Sequence, residues 1–490
     1  MEKYSMYING EFRKAKDSIT SINPCNEEKI AEFPSAAKED LQDAISAART
    51  AFDKGDWSKI SLVERAAYLT KIASLIREEA FNLSKIETQD TGKTNKQTTF
   101  IDIPVAADVY DHFATATKEV KGETLTIPAP AFSYTVKEPV GVIGAIIPWN
   151  YPFLMAAWKI APSIMLGNTV VFKPSQYASL SCLELAKIID KAGLPKGVIN
   201  IITGAGKNIG VGIAQDPNVD MISFTGSTEV GREIMKAASV NIKKLALELG
   251  GKSANIVFGD CDIEAAVGGT LSAIFMNQGQ MCVAGSRLLL EDSIYDKFIE
   301  ILVEKTIKLK IGDSQSPDTD IGALISKKQQ TNVLDYIAIG DKEAKLLCGG
   351  GIPKGFNKGF YVEPTIFGDV SNNMRIAQEE IFGPVLSIIK FSTLKEVIDI
   401  ANDTKYGLAA MVWTKDLNKA NLVSRQLRCG TVWINTFGGF YNEAPFGGYK
   451  QSGIGRELGK EGLLEYTETK HINIDLSAQG RSLVTNWFSV

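Results

Sequence analysis

Apolar positions recur at helical spacing through residues 38–55, where Leu41, Ala44, Ile45, Ala48, Ala51 and Phe52 share a face. They recur again through residues 62–86, with Leu69, Ile72, Ile76 and Leu83. This spacing predicts two or three consecutive amphipathic helices. Upstream, residues 7–34 alternate short apolar runs with turn signals at Asn9-Gly10 and Asn23-Pro24, which predicts a peripheral hairpin and strand region. Residues 121–139 alternate again between prolines, as expected of a hairpin whose exposed edge is free to pair with another subunit. Apolar runs then follow at 142–147, 169–172, 198–202 and 221–224, with helical patterns at 158–166 and 180–192 between them. That alternation predicts a parallel sheet covered by helices, in which ligands collect at the carboxyl ends of the strands.

Further along, Gly279-Gln280-Met281-Cys282-Val283-Ala284-Gly285 precedes an apolar run at 286–290 that reads as a buried strand. Cys282 is therefore placed on a turn, where a thiol is reachable. A thiol with a pKa of about 8.5 needs a base or a positive potential to act as a nucleophile at neutral pH. The chain has two histidines, His112 and His471, and neither lies in a motif, which leaves a carboxylate or a cofactor charge to activate the thiol. Taken alone, Cys282 also fits an inert packing role.

Composition narrows the class. At 490 residues the chain is long enough for two large domains or three smaller ones, and 44% hydrophobic with 22% charged residues is ordinary for a globular protein. A net charge of -4 argues against a nucleic-acid binder that relies on general electrostatics. The six cysteines contain no C-x-x-C pair, so neither a zinc site nor a disulfide framework is expected, and a reducing cytoplasm fits. The most apolar tract, 140–162, is broken by Pro148, Asn150, Pro152 and Lys159, so no signal peptide or membrane span is expected. Thr91-Gly92-Lys93-Thr94 imitates the end of a phosphate-binding loop, but the earlier glycine of that motif would fall at Glu87.

Several strand ends carry candidate chemistry. Phe224-Thr225-Gly226-Ser227 leads from a strand into a helix and offers free amides to a pyrophosphate, or is an ordinary turn. Lys173 ends another strand, where it serves ribose or phosphate, or is simply solvated. Glu248 ends an apolar run beside Gly250-Gly251, as a desolvated general base or as a salt-bridged strand-end residue. Asn150, between Pro148 and Pro152, is a fixed amide donor to an oxyanion or a turn former.

Together with these, Trp149-Asn150-Tyr151-Pro152, Leu247-Glu248-Leu249-Gly250-Gly251-Lys252, Gly279-Gln280-Met281-Cys282, Glu379-Glu380-Ile381-Phe382-Gly383-Pro384 and Pro445-Phe446-Gly447-Gly448-Tyr449-Lys450 resemble the aldehyde dehydrogenase superfamily, in order and spacing, from about residue 7 to residue 490. The resemblance implies an α/β fold with a Rossmann-like nicotinamide-cofactor domain (residues 1–120 and 140–249) and an α/β catalytic domain (250–450). It also implies a β oligomerisation arm with a C-terminal segment (121–139 and 451–490), in a homodimer or homotetramer. Lys470 to Asp475 would partner the 121–139 hairpin.

By the same resemblance, Cys282 is the nucleophile, Glu248 the base for hydrolysis, Asn150 the oxyanion donor beside the Cys282 amide, and Lys159 and Glu457 an inner proton path. Lys173 and Glu380 hold the riboses, Ser227 and Trp149 approach the pyrophosphate, Thr225 and Phe382 border the nicotinamide, and Gly206 flanks the adenine. Ile146, Ile147, Gln176, Gly226 and Leu249 complete the cofactor cleft. Tyr151, Leu154, Trp158, Met281, Val283, Phe440 and Phe446 line the path of a small-molecule aldehyde. The implied reaction is NAD(P)-dependent oxidation of an aldehyde to an acid through a cysteine thioester, without a metal. Glu248 separates the chain from the CoA-acylating branch.

The pattern departs in places. Gln176 stands where NAD-preferring relatives often carry a glutamate, so NADP is open as well as NAD. The nearest resemblance, through residues 449–462 and Asn486-Trp487-Phe488, is to bacterial betaine aldehyde dehydrogenases, which enclose a trimethylammonium group in aromatic rings. That overall resemblance puts betaine aldehyde first as substrate, while Phe446 in place of the usual tryptophan and the opening at Gly438-Gly439 argue the other way, for a bulky apolar aldehyde such as retinal.

Overall fold

The structure, a computed structural model, describes residues 2–477. Residues 478–490, which include Asn486-Trp487-Phe488, lie outside the described residues.

One of the predicted helices starts where side chains satisfy its free amides. Ser61 accepts a hydrogen bond from the Glu64 amide at 3.2 Å while Glu64 accepts from the Ser61 amide at 2.8 Å, a reciprocal cap for the helix Leu62–Glu78. The next helix, Ala80–Thr91, ends at Gly92 with φ of 77°. A β-carbon there would lie 2.5 Å from the Ala323 carbonyl oxygen, so this glycine serves a helix end and a close approach, not a phosphate.

An eight-stranded sheet runs in the order Gly453–Ile454, Lys244–Glu248, Met221–Thr225, Val142–Ile146, Thr169–Lys173, Ile199–Ile201, Met6–Ile8, Glu11–Arg13. Its five central strands are parallel and buried on both faces, as continuous apolar runs require. The hairpin from the 7–34 region is not peripheral: Met6 and Ile8 are fully buried, and Tyr7 pairs with Ile201. Local alternation predicted the hairpin, but pairing across nearly two hundred residues leaves no local trace.

A seven-stranded sheet is built from Lys345–Cys348, Thr365–Gly368, Val385–Phe391, Arg287–Glu291, Ala254–Val257, Ala409–Trp413 and Thr431–Ile434, in that spatial order. All its neighbours are parallel except the first pair. A separate three-stranded sheet pairs Ala131–Pro139 with Thr124–Leu125 on one side and Thr467–Asp475 on the other. The strand expected at Lys470 to Asp475 is there and starts three residues earlier. Gly453–Ile454, in the C-terminal segment, pairs with Leu247 and Glu248 in the eight-stranded sheet.

Candidate active site

Strand register gathers the candidate residues at one sheet edge. Thr225 is paired with Glu248, Phe224 with Ile146, and Ile146 with Lys173, so these strand ends lie side by side. Ile147 follows directly and is buried. Trp149 and Asn150 occupy the turn before the helix Pro152–Met165, whose proline at the first position suits a start with no amide to satisfy. Ser227 caps the helix Thr228–Ala238 by accepting from the Val230 amide at 3.3 Å.

The thiol arrives from the other sheet. The helix Ile263–Phe275 ends just before Asn277, Gln278 and Gly279, with φ of 48°, 54° and 71°, three successive residues in the left-handed region. Such a run is costly for non-glycine residues and persists only where surrounding contacts hold it. Asn277 donates from Nδ2 to the Asn150 carbonyl at 3.1 Å and to the Gln280 carbonyl at 3.2 Å. Asn150 donates from its own Nδ2 to the same Gln280 carbonyl at 2.9 Å, and Gln280 Oε1 accepts from the Ile325 amide at 3.1 Å. Cys282 follows on a turn, half-buried. Its carbonyl oxygen would lie 2.2 Å from a β-carbon on Gly251, which explains the glycine there.

The electrostatics are those of a dry cleft. Burial pushes the Cys282 thiol up to about 12, with the Glu380 and Glu248 carboxylates adding repulsion and backbone amides offsetting part of it. The side chains of the chain thus disfavour the thiolate, contrary to the lowered value that a working nucleophile needs. Glu248 is buried with neither carboxylate oxygen hydrogen-bonded, so it is not salt-bridged; desolvation, then repulsion from Glu457, raises its pKa well above the carboxylate range. Lys159 Nζ donates to Glu457 Oε1 at 2.6 Å and to Ser223 Oγ at 3.0 Å, and Ser223 in turn meets the Tyr466 hydroxyl at 2.9 Å. Lys173 is buried, not solvated, and desolvation lowers its pKa to about 8. Glu380 Oε1 accepts from the Gly251 amide at 2.9 Å, and burial raises its carboxyl to about 7.

With this geometry, residues 12–472 match the model of the aldehyde dehydrogenase family. The chain belongs to the aldehyde dehydrogenase family. It is 48% identical over 491 residues to a betaine aldehyde dehydrogenase of Bacillus subtilis, covering 99% of each chain. It is also 44% identical over 474 residues to a human mitochondrial aldehyde dehydrogenase, covering 96% of this chain and 91% of the other. A betaine aldehyde dehydrogenase from Staphylococcus aureus, solved in complex with NAD+, superposes with a TM-score of 0.96 at 42% identity, over 99% of this chain and 97% of that one. An NAD+ complex of an aldehyde dehydrogenase from Bacillus cereus gives 0.95 at 41% identity, over 97% of each. The α/β fold and the enzyme class implied by the motifs are those of the family.

On this family fold the remaining candidates fall into two groups. Trp149 and Phe382 meet edge to face at 5.3 Å, with Phe382 at φ of 58° and its carbonyl accepting from Gln329 Nε2 at 2.8 Å. Leu249 is buried, Gly226 donates to the Glu248 carbonyl at 3.0 Å, and Thr225 Oγ1 is buried without a partner. Gly206 and Gln176 lie at the outer rim of the same sheet edge, partly or fully exposed. In the second group Trp158 and Phe446 are 5.5 Å apart, Phe446 and Phe440 5.5 Å, and Trp158 and Phe440 6.2 Å, while Leu154, Met281 and Val283 are buried. Tyr151 stands beside the Cys282 turn, half-buried, its ring 3.9 Å from Lys93 Nζ.

Residues that the sequence did not single out complete the site. Trp433 packs on Phe440 at 5.3 Å and donates from its indole to the Gly439 carbonyl at 3.1 Å, fixing the glycine loop. No predicted element or motif covered Trp433, so there was no signal for it. Ser223 and Tyr466 gave none, since each reads as an ordinary buried residue.

Proposed function

We propose that the chain oxidises betaine aldehyde to glycine betaine with NAD. The chemistry rests on a half-buried thiol, Cys282, beside a carboxyl, Glu248, whose two oxygens have no partner. An unpaired buried carboxyl is costly and is retained where a proton must be taken up. The substrate is supported by the ring cluster of Trp158, Phe446 and Phe440, and by the full-length relative in Bacillus subtilis. Aromatic faces attract a quaternary ammonium without demanding that it shed hydrogen bonds.

In this reading residues 1–120 and 140–249 bind the dinucleotide and residues 250–450 carry the nucleophile. Lys173 and Glu380 face its ribose hydroxyls, the amides around Ser227 and the Trp149 turn its pyrophosphate, and Thr225 and Phe382 its nicotinamide. The unpartnered Thr225 hydroxyl and the glycine-lined turn fit such a group. When bound, it accepts hydride and contributes the positive charge that the thiol lacks.

As the Cys282 sulfur adds to the aldehyde carbon, its thiol proton passes to the ionised form of Glu248 and the carbonyl electrons move to oxygen. Asn150 and the Cys282 amide face that oxyanion. Loss of hydride leaves a thioester on Cys282. Glu248, ionised again, then takes a proton from a water that attacks the thioester carbon and returns it to the departing sulfur, which releases the acid and restores the thiol. Lys159 and Glu457 carry the proton inward from Glu248.

A bulky apolar aldehyde such as retinal is the second reading, favoured by Gly438, where a β-carbon would meet nothing within 4 Å. Gln176 leaves NADP use open. Measuring kcat/KM for betaine aldehyde and retinal, each with NAD and NADP, separates these readings. A preference for retinal overturns the first, and comparable values with NADP show that the cofactor choice is loose.

A further inference from the structure

The segment after Gly92 has no part in the chemistry above, yet it contacts both Tyr151 and the turn that leads to Cys282. Lys93 is fully buried, ion-paired to Asp102, with Glu87 at 3.7 Å and the Tyr151 ring at 3.9 Å. One turn later the short helix Asn95–Gln97 passes into a π-helix, Thr98–Asp102, whose wider turn sets Gln97 and Asp102 inward together.

Gln97 is buried and makes two bonds that join distant parts of the site. Its Oε1 accepts from the Asn277 amide at 3.2 Å, and its Nε2 donates to the Tyr151 hydroxyl at 3.2 Å. The orientation of the amide is fixed by chemistry, because the Asn277 N–H can only be met by an acceptor. That N–H belongs to the first left-handed residue of the Cys282 turn, beyond the reach of the preceding helix.

We propose that Gln97 is a positioning residue for aldehyde oxidation: its amide ties Tyr151, beside the aldehyde path, to the strained turn that aims Cys282. The proposal rests on the assignment of Cys282 and Tyr151 above. Lys93 holds the far side of the Tyr151 ring, so the tyrosine cannot retreat, and a change in its position reaches the turn through Gln97.

The test compares Gln97→Met, Tyr151→Phe and the double variant in the full-length protein. Two quantities are read: the rate at which iodoacetamide alkylates Cys282 without substrate, followed by intact mass, and kcat against KM for the aldehyde. Gln97→Met is expected to change the alkylation rate about fivefold and to lower kcat by a similar factor, with KM little altered, as loss of one buried hydrogen bond allows. Tyr151→Phe is expected to do the same more weakly, and the double variant to be no worse than Gln97→Met.

A lowered melting temperature with alkylation and kcat within twofold of the parent would make Gln97 merely structural. Losses that multiply in the double variant would overturn the link as well. Should Gln97→Met not fold, Tyr151→Phe carries the test, and an unchanged alkylation rate there overturns the proposal. A parent that oxidises no aldehyde would sink the proposed function, while the alkylation arm still reads the link.

Discussion

Cys282, Glu248 and Glu380 share a region dry enough to penalise the charged form of each. Glu380 lends itself to a pH test. Its carboxyl, raised by burial from 4.5 to about 7, contributes stability that is complete below about pH 4.5 and is lost as pH rises through about 7. Glu380→Gln keeps an acceptor for the Gly251 amide and removes the charge. The variant should therefore melt roughly 2 °C above the parent at pH 8 and equal to it at pH 4, by scanning calorimetry of the cofactor-free protein. Its affinity for NAD should fall at pH 8, where the parent carboxylate is charged, which isothermal titration measures.

At the scale of elements, the site is a meeting of the carboxyl ends of one sheet with the segments that lead into the strands of the other. Glycines set the distance. Gly279, at φ of 71°, would place a β-carbon 2.1 Å from the Gly383 carbonyl oxygen, so Gly279→Ala must push the Cys282 turn away from the segment that carries Glu380 and Phe382. Turnover should drop about a hundredfold or more, as a misplacement of about 1 Å can cost, and stopped-flow hydride transfer would show the loss in the chemical step. The motifs at these strand ends were legible because turn chemistry and apolar runs are local. The bonds joining Gln97 to Tyr151 and Asn277 span 54 and 180 residues, and sequence spacing carries no trace of them. Lys93 stood in a false phosphate-loop pattern, and only the fold shows that Glu87, where that pattern needs glycine, is part of its charged surroundings.

For the whole molecule, the three-stranded arm leaves one side of Thr467–Asp475 unpaired among the described residues, and Phe132 and Ile474 are each nearly half exposed. Open edges invite pairing, and a homodimer or homotetramer joined there is the assembly we propose. Phe132→Glu with Ile474→Glu should reduce the mass seen by light scattering toward that of one chain, while the circular dichroism stays that of the parent. Among the described residues no helix is long and apolar enough to cross a membrane.

If Cys282 carries the substrate as a thioester that Glu248 hydrolyses, mixing the Glu248→Gln variant with betaine aldehyde and NAD, with intact mass recorded alongside NADH absorbance, traps that thioester. The expected result is a burst of one NADH per active site and an acyl adduct on Cys282 that persists, with Cys282→Ala giving neither. Steady turnover without an adduct, or NADH formation by the Cys282→Ala variant, would contradict it.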